Sequence, residues 1–518
     1  MGAPIAATRL PRSDPAAEGL SAAAILAFID AAEADGLELH SFMLARHGRV
    51  VAEGWWRPYG AKRVHMLHSV TKAFTATGIG LAIHEGLFDL DDPVLKYFPD
   101  KAPPQLSAHL QAMTVRDLLT QSCGHDSGTS GSVWRGIRTS WIDEFLRIPV
   151  PHAPGTHFQY SSATSFMLSA LVTRTAGVSL HDYLAPRLFA PLGMTSVRWD
   201  LGPEGINPGG NGASATIEDL LKLAVLHAGK GLWNSQRILP EAWVAAVGQG
   251  TPQRPYGLHW WALPGRPGFY AFGAFGQYAF VLPEHGLAMA ITGAVPGSIS
   301  RPDVGIPPLV WAHLPRMLAG ADADAGSASA LVDRLSSLSL SLAPPASDPV
   351  CADPIDGVRF HAMPNDDGVR SVSVSFGGAQ RCRLAIETDT GVHTIDAGLG
   401  GAWIESETTL PGMGLHHGYE PDRLATAAAA GWSGAHTLAL NCQYVETAFR
   451  DRFELTFSGD ALVLVRSVNV NGGRTTLAPI QAARPASSPP AFPEAVAPCP
   501  CPSDRAEAKS DRRRRGQR

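Results

Sequence analysis

Two residues of this chain, Ser69 and Lys72, stand at a spacing that can do covalent chemistry. They lie in Leu67-His68-Ser69-Val70-Thr71-Lys72-Ala73-Phe74, at the start of a stretch whose pattern predicts a helix ending near Gly86. Residues three apart on a helix share a face, so the hydroxyl and the amine come within reach of each other. A serine hydroxyl is a weak nucleophile until a neighbouring base takes its proton. A lysine can be that base if burial and the positive helix N-terminus lower its pKa. The pair therefore points to acyl transfer. The plainer reading is a helix-capping serine followed by a solvated lysine. Against it, Val70, Phe74, Ile79, Leu81 and Ala82 make the helix apolar on most sides, and a lysine in its first turn needs a partner. No other lysine in the chain has a serine three residues before it.

Such a pair needs a second proton carrier and donors for the oxyanion. Tyr160, in Tyr160-Ser161-Ser162, follows the turn-forming Pro154-Gly155-Thr156 and precedes a helical stretch over 165–175. Beside a cationic lysine its pKa is expected to fall, so that it exchanges protons with Ser69. The commoner fate is a core tyrosine with one satisfied hydroxyl. The segment Ala271-Phe272-Gly273-Ala274-Phe275-Gly276-Gln277 is assigned to the first strand of a hairpin. Its small residues let a main-chain N–H face an oxyanion, so the Ala274 and Ser69 amides are the expected donors. A glycine-rich strand kinked for packing is the alternative.

The elements that must hold these residues follow from periodicity. Residues 21–35 read as an amphipathic helix. Residues 42–46 and 49–53 flank His47-Gly48 as a hairpin, and 278–282 and 287–291 flank Pro283-Glu284-His285-Gly286 as a second one. Thr114 caps a short helix, and 217–228 repeats the helical pattern. Strands at both ends with helices between them predict an α+β domain over 14–318. Composition shifts near 320, and 319–349 is rich in Ala, Ser and Asp, as expected of a linker or a surface helix. From 350 to 485 the period becomes two, which predicts an antiparallel β domain, a meander or small barrel. Residues 486–518 are expected to be a disordered tail.

Bulk properties narrow the class. With 518 residues, 45% hydrophobic and 17% charged, the chain can build a large core. A net charge of −5 gives no reason to expect nucleic acid as a partner. The basic run Arg512-Arg513-Arg514-Arg515 falls in the tail. The cysteines 123, 351, 382, 442, 499 and 501 are scattered, unlike a disulfide framework. No apolar run reaches membrane-spanning length, and residues 1–20 lack a signal-peptide core, so a cytoplasmic location is expected. No metal or other cofactor is expected: His416-His417 has no partner at zinc-ligand spacing. Walker A, dinucleotide and Gly-x-Ser-x-Gly patterns are absent. His68, His125, Trp134, Trp260 and Trp261 are further pocket candidates, with ordinary packing the default for each.

In chain order, Ser69-x-x-Lys72, Tyr160-Ser-Ser162 and the Gly273/Gly276 strand resemble the three motifs of the serine β-lactamase and penicillin-binding-protein-like superfamily, in its class C-like serine hydrolase branch. His40-Ser41-Phe42-Met43, Glu53-Gly54-Trp55-Trp56, residues 85–93 and Pro191-Leu192-Gly193-Met194 also look typical of that family. The resemblance covers roughly 14–315 and implies a β-lactamase/transpeptidase-like fold with the active site between a helical lobe and an antiparallel sheet. It implies Ser69, Lys72 and Tyr160 as catalytic residues, and Ser162, Gly273 and Ala274 at the substrate and oxyanion. The C-terminal β region is similar to lipocalin-like appendages. Two positions depart from the family pattern. Ser162 stands where many members have asparagine, and Ala271 where many have Lys or His. A cation there would help bind a substrate carboxylate. The expected activity is therefore hydrolysis of a small neutral ester or amide. The alternatives are a catalytically weak binding or scaffolding homologue, and a β-lactamase or D-alanyl-D-alanine carboxypeptidase.

Overall fold

The apolar runs Phe42-Met43-Leu44-Ala45 and Val50-Val51-Ala52 lie in the strand Glu38–Arg46 and its partner Arg49–Trp55, which form a hairpin with His47 and Gly48 at φ +50° and +77° in the tight turn. This hairpin is one edge of a six-stranded antiparallel sheet. Its order is Arg49–Trp55, Glu38–Arg46, Leu287–Ala294, Gln277–Leu282, Phe269–Gly273, Trp261–Ala262. The computed structural model describes residues 9–484 except 130, 251–254, 264, 267, 300, 321–325 and 341–354. The tail expected at 486–518 lies outside the described residues, as do Cys351, Cys499 and Cys501.

Both faces of this sheet are covered, which is why its central strands are apolar on both sides. Leu287–Ala294 and Gln277–Leu282 are buried at every position. One face packs on the helices Ala22–Ala34 and Ile306–Met317, with Phe28, Ile29, Phe42, Tyr278 and Phe280 in that core. The helix Gly326–Ser336, within the stretch expected as linker or surface helix, packs beside them on Arg49–Trp55. The other face meets the helix Ile217–Ala228 and, beyond it, a helical lobe whose core holds Phe74, Phe166, Leu168, Leu171 and Tyr183. The helices Thr71–His84 and Ser162–Ala176 pack together in that lobe.

One expectation is corrected here. Residues 271–277 are not a single strand. Phe269–Gly273 ends in a turn, and Gln277–Leu282 runs back antiparallel to it. Phe275 at φ +67° and Gly276 at φ +106° make that reversal, which an extended strand could not contain.

The C-terminal region is a ten-stranded sheet that closes on itself. Neighbouring strands are antiparallel, and Gly398–Leu399 pair in parallel with Ala429–Ala430 to complete a barrel. Its interior is filled by side chains such as Phe360, Leu384, Leu440, Phe453 and Leu464. Buried Asp451 accepts hydrogen bonds from Tyr444 Oη at 2.9 Å and Arg466 Nε at 2.7 Å, and lies 2.9 Å from His416 Nε2. Burial alone would raise the Asp451 pKa, but Arg466 and His416 outweigh it and hold the carboxyl at about 2.

Barrel and first domain belong to one compact unit over 1–484. Tyr59 Oη donates to Thr447 O at 2.7 Å and accepts from Gln443 Nε2 at 2.6 Å. Met66 N donates to Glu446 O at 2.7 Å, and Arg450 pairs with Glu38 at 2.8 Å. Met66 is three residues from Ser69, so barrel contacts run up to the segment that carries Ser69.

Candidate active site

Ser69 lies in a 3-10 turn, His68–Val70, that leads directly into the helix Thr71–His84. Leu67 and Val70, not Ser69, stand at the N-cap positions of the turn and the helix, so the plainer reading of Ser69 as a cap does not hold. The side chain is half-buried. One turn on, Lys72 is 1% exposed and places Nζ 3.2 Å from Ser69 Oγ. Nζ also donates to Gly210 O at 2.8 Å and lies 3.5 Å from Ser162 Oγ. None of these acceptors is a carboxylate. Burial therefore acts unopposed and pushes the Lys72 pKa down to about 7. An amine with this pKa is about half neutral at pH 7, and its neutral form can take a proton from a hydroxyl at this distance.

Tyr160 sits across the lysine, with Nζ 4.7 Å from its ring centroid. Trp261 stacks on the ring at 5.8 Å and Tyr256 meets it edge-on at 5.9 Å. The expected fall in its pKa is not found. Burial pushes the phenol well above its usual 10, and the Ser69 side chain opposes this only in part. The phenol's own burial disfavours its phenolate form. A phenol in this state is a proton donor.

The loop that carries Tyr160 is tied down by Gln121. Gln121 Oε1 accepts from Ser161 N at 2.8 Å and from Thr164 Oγ1 at 2.9 Å, and its main-chain O accepts from Gln159 N at 2.8 Å. Ser161 caps the following helix by accepting from Ala163 N. Ser162 occupies the first turn of that helix, which aims its hydroxyl at Lys72.

Gly273 ends its strand against the turn His68–Val70. A Cβ at this position would lie 2.2 Å from Leu67 O, so only glycine lets the two backbones approach. Ala274 follows in the turn and is 8% exposed. The main-chain N–H groups of Ser69 and Ala274 donate to no acceptor among the described residues. They remain available to a substrate oxygen.

The residues proposed for the site thus converge on Lys72 and Ser69. Other candidates do not. Trp134 packs with Trp141 and Phe166, Trp260 with His227 and Phe269, and His125 with Phe145. Trp261 alone of the three tryptophans reaches the site, through Tyr160. His416 is spent on Asp451. Among the described residues no cluster of His, Cys, Asp and Glu could hold a metal ion. Sequence reasoning missed Gly210 and Gln121. Gly210 lies in Asn207-Pro208-Gly209-Gly210-Asn211-Gly212, whose density of small residues marks a close backbone approach. Gln121 carries no such mark.

The beta-lactamase family model matches residues 29–303, somewhat more than half of the chain. The 6-aminohexanoate-dimer hydrolase of Paenarthrobacter ureafaciens is 24% identical over 272 residues, 47% of this chain and 69% of that one. The lovastatin esterase of Penicillium rubens is 26% identical over 169 residues, 28% of this chain and 42% of the esterase. Among solved structures, the octameric penicillin-binding protein homologue from Pyrococcus abyssi is 16% identical. It covers 88% of this chain and 99% of its own, with a TM-score of 0.45.

Proposed function

The chain belongs to the beta-lactamase family, and on that premise we propose that it hydrolyses a small ester or amide through an acyl-enzyme on Ser69. The observation that carries this reading is the Lys72 amine, 3.2 Å from the Ser69 hydroxyl with a pKa near 7. Lys72 takes the Ser69 proton as Oγ attacks the carbonyl carbon. The developing oxyanion lies between the Ser69 and Ala274 amides. Tyr160, protonated, donates to the leaving oxygen or nitrogen, and Lys72 returns the proton that restores it. Water then attacks the acyl-enzyme with the same base, and Ser69 is released.

One feature favours a neutral substrate. Ala271 is 2% exposed and uncharged, so the strand offers no cation at that position for a carboxylate. The similar proteins include a 6-aminohexanoate-dimer hydrolase and a lovastatin esterase, which supports hydrolysis of an ester or amide. A merely ligand-binding role gives no reason to bury a lysine against a serine without a counter-ion. The test is turnover of a short-chain p-nitrophenyl ester beside a chromogenic cephalosporin, with wild type and Ser69→Ala. Ester turnover that disappears with Ser69 is expected. Equal turnover by the alanine variant contradicts the mechanism, and cephalosporin turnover above the ester rate contradicts the substrate class.

A further inference from the structure

His68 precedes Ser69, and Phe275 follows Ala274, so each is one residue from a proposed oxyanion donor. Both are gripped by side chains of the C-terminal barrel. Phe449 sets its ring edge-on to His68 at 6.2 Å and to Phe275 at 5.6 Å. His417 meets Phe275 edge-on at 5.5 Å. His68 and Phe275 in turn touch each other at 5.3 Å. Ala274 and Phe275 belong to the same apolar cluster as the barrel interior.

The backbone at these two positions needs such support. His68 is at φ +47° and Phe275 at φ +67°, a region that non-glycine residues occupy only when their surroundings enforce it. Among the described residues His68 Nε2 has no hydrogen-bond partner, so ring packing holds that edge. Phe449 is itself braced from behind. His416 stacks on it at 5.0 Å, and Asp451 fixes His416 at 2.9 Å.

We infer that the barrel is a working part of the oxyanion hole. Phe449 and His417 are positioning residues that fix the backbone on either side of the hole and so aim the Ser69 and Ala274 N–H groups at one point. This rests on the reading of Ser69 as an acylated nucleophile. It gives the barrel a catalytic consequence although no barrel residue touches the reacting atoms. Oxyanion donors act through their fixed aim, and a displacement of about 1 Å can cost on the order of 10²-fold in rate.

The test uses the full-length protein. Phe449→Leu is compared with wild type and with Phe360→Leu, which thins the barrel interior where the ring neighbours are Phe457 and Arg484 instead. Ester kcat and KM are measured, together with the inhibition constant of a boronic acid, whose Ser69 adduct is tetrahedral. Phe449→Leu should lower kcat roughly tenfold or more with KM within about twofold, and weaken the boronate by a similar factor. Phe360→Leu should keep both. Phe449→Met supplies the same contrast if the leucine variant does not fold. Equal losses at 449 and 360, or wild-type kcat and boronate affinity in the 449 variants, overturn the inference. A wild-type protein that neither turns over ester nor takes up a serine-reactive phosphonate overturns the hydrolase reading itself, a result distinct from either.

Discussion

The Lys72 amine donates to the Gly210 carbonyl at 2.8 Å while standing 3.2 Å from the Ser69 hydroxyl. The carbonyl fixes the amine's position without supplying a charge that would hold it protonated. Since burial brings the pKa to about 7, kcat/KM should rise with pH through about 7 as Lys72 loses its proton. A pH–rate profile from 5.5 to 9 checks this. A rate that falls across that interval contradicts Lys72 as the base.

The same shift predicts a stability change. The unfolded lysine holds its proton up to its ordinary pKa of 10.5, whereas the folded one gives it up near 7. Between these values the unfolded chain binds more protons, so Lys72 makes stability rise with pH, and its penalty is greatest below about 7. Lys72→Met removes the penalty. Its Tm relative to wild type should be most favourable at pH 6 and least at pH 10, while ester turnover is lost. Thermal scans at the two pH values decide it.

Tyr160→Phe keeps the ring between Lys72 and Trp261 but removes the proton donor. Turnover should fall by roughly 10²–10⁴-fold with little change in Tm. Because the phenol stays protonated, neither wild type nor the variant should show an alkaline fall in rate below pH 9. Steady-state kinetics on esters with good and poor leaving groups provide the check: the loss should be larger for the poorer leaving group.

Much of this was legible in the sequence because it is local. Ser69 and Lys72 share a helix face at a spacing of three, and the hairpin at His47-Gly48 announces itself by its turn residues. The departures have physical causes. The break at Phe275 was hidden because only Gly276 carries a turn signature, whereas Phe275 is held at positive φ by packing from the barrel. The direction of the Tyr160 pKa is not legible in the sequence because it depends on how deeply the phenol itself is buried, which spacing does not encode. Gln121 could not be found at all. A glutamine joins the Tyr160 loop to its neighbours only through contacts formed after the chain has folded.

Gly273→Val should place a side chain where even a Cβ would lie 2.2 Å from Leu67 O. The strand and the turn that carries Ser69 must then separate. Turnover should drop on the order of 10²-fold or more, since a displacement of about 1 Å at the reacting centre has that effect. Boronate inhibition should weaken in parallel. Unchanged kinetics in a folded Gly273→Val protein contradict the placement of this strand at the oxyanion.

The most direct test of the account is intact-mass analysis after incubation with a p-nitrophenyl phosphonate, followed by peptide mapping. The account predicts a single adduct on the peptide containing Ser69, absent from Ser69→Ala and slowed in Lys72→Met. No adduct on wild type, or an adduct that persists in Ser69→Ala, would contradict it.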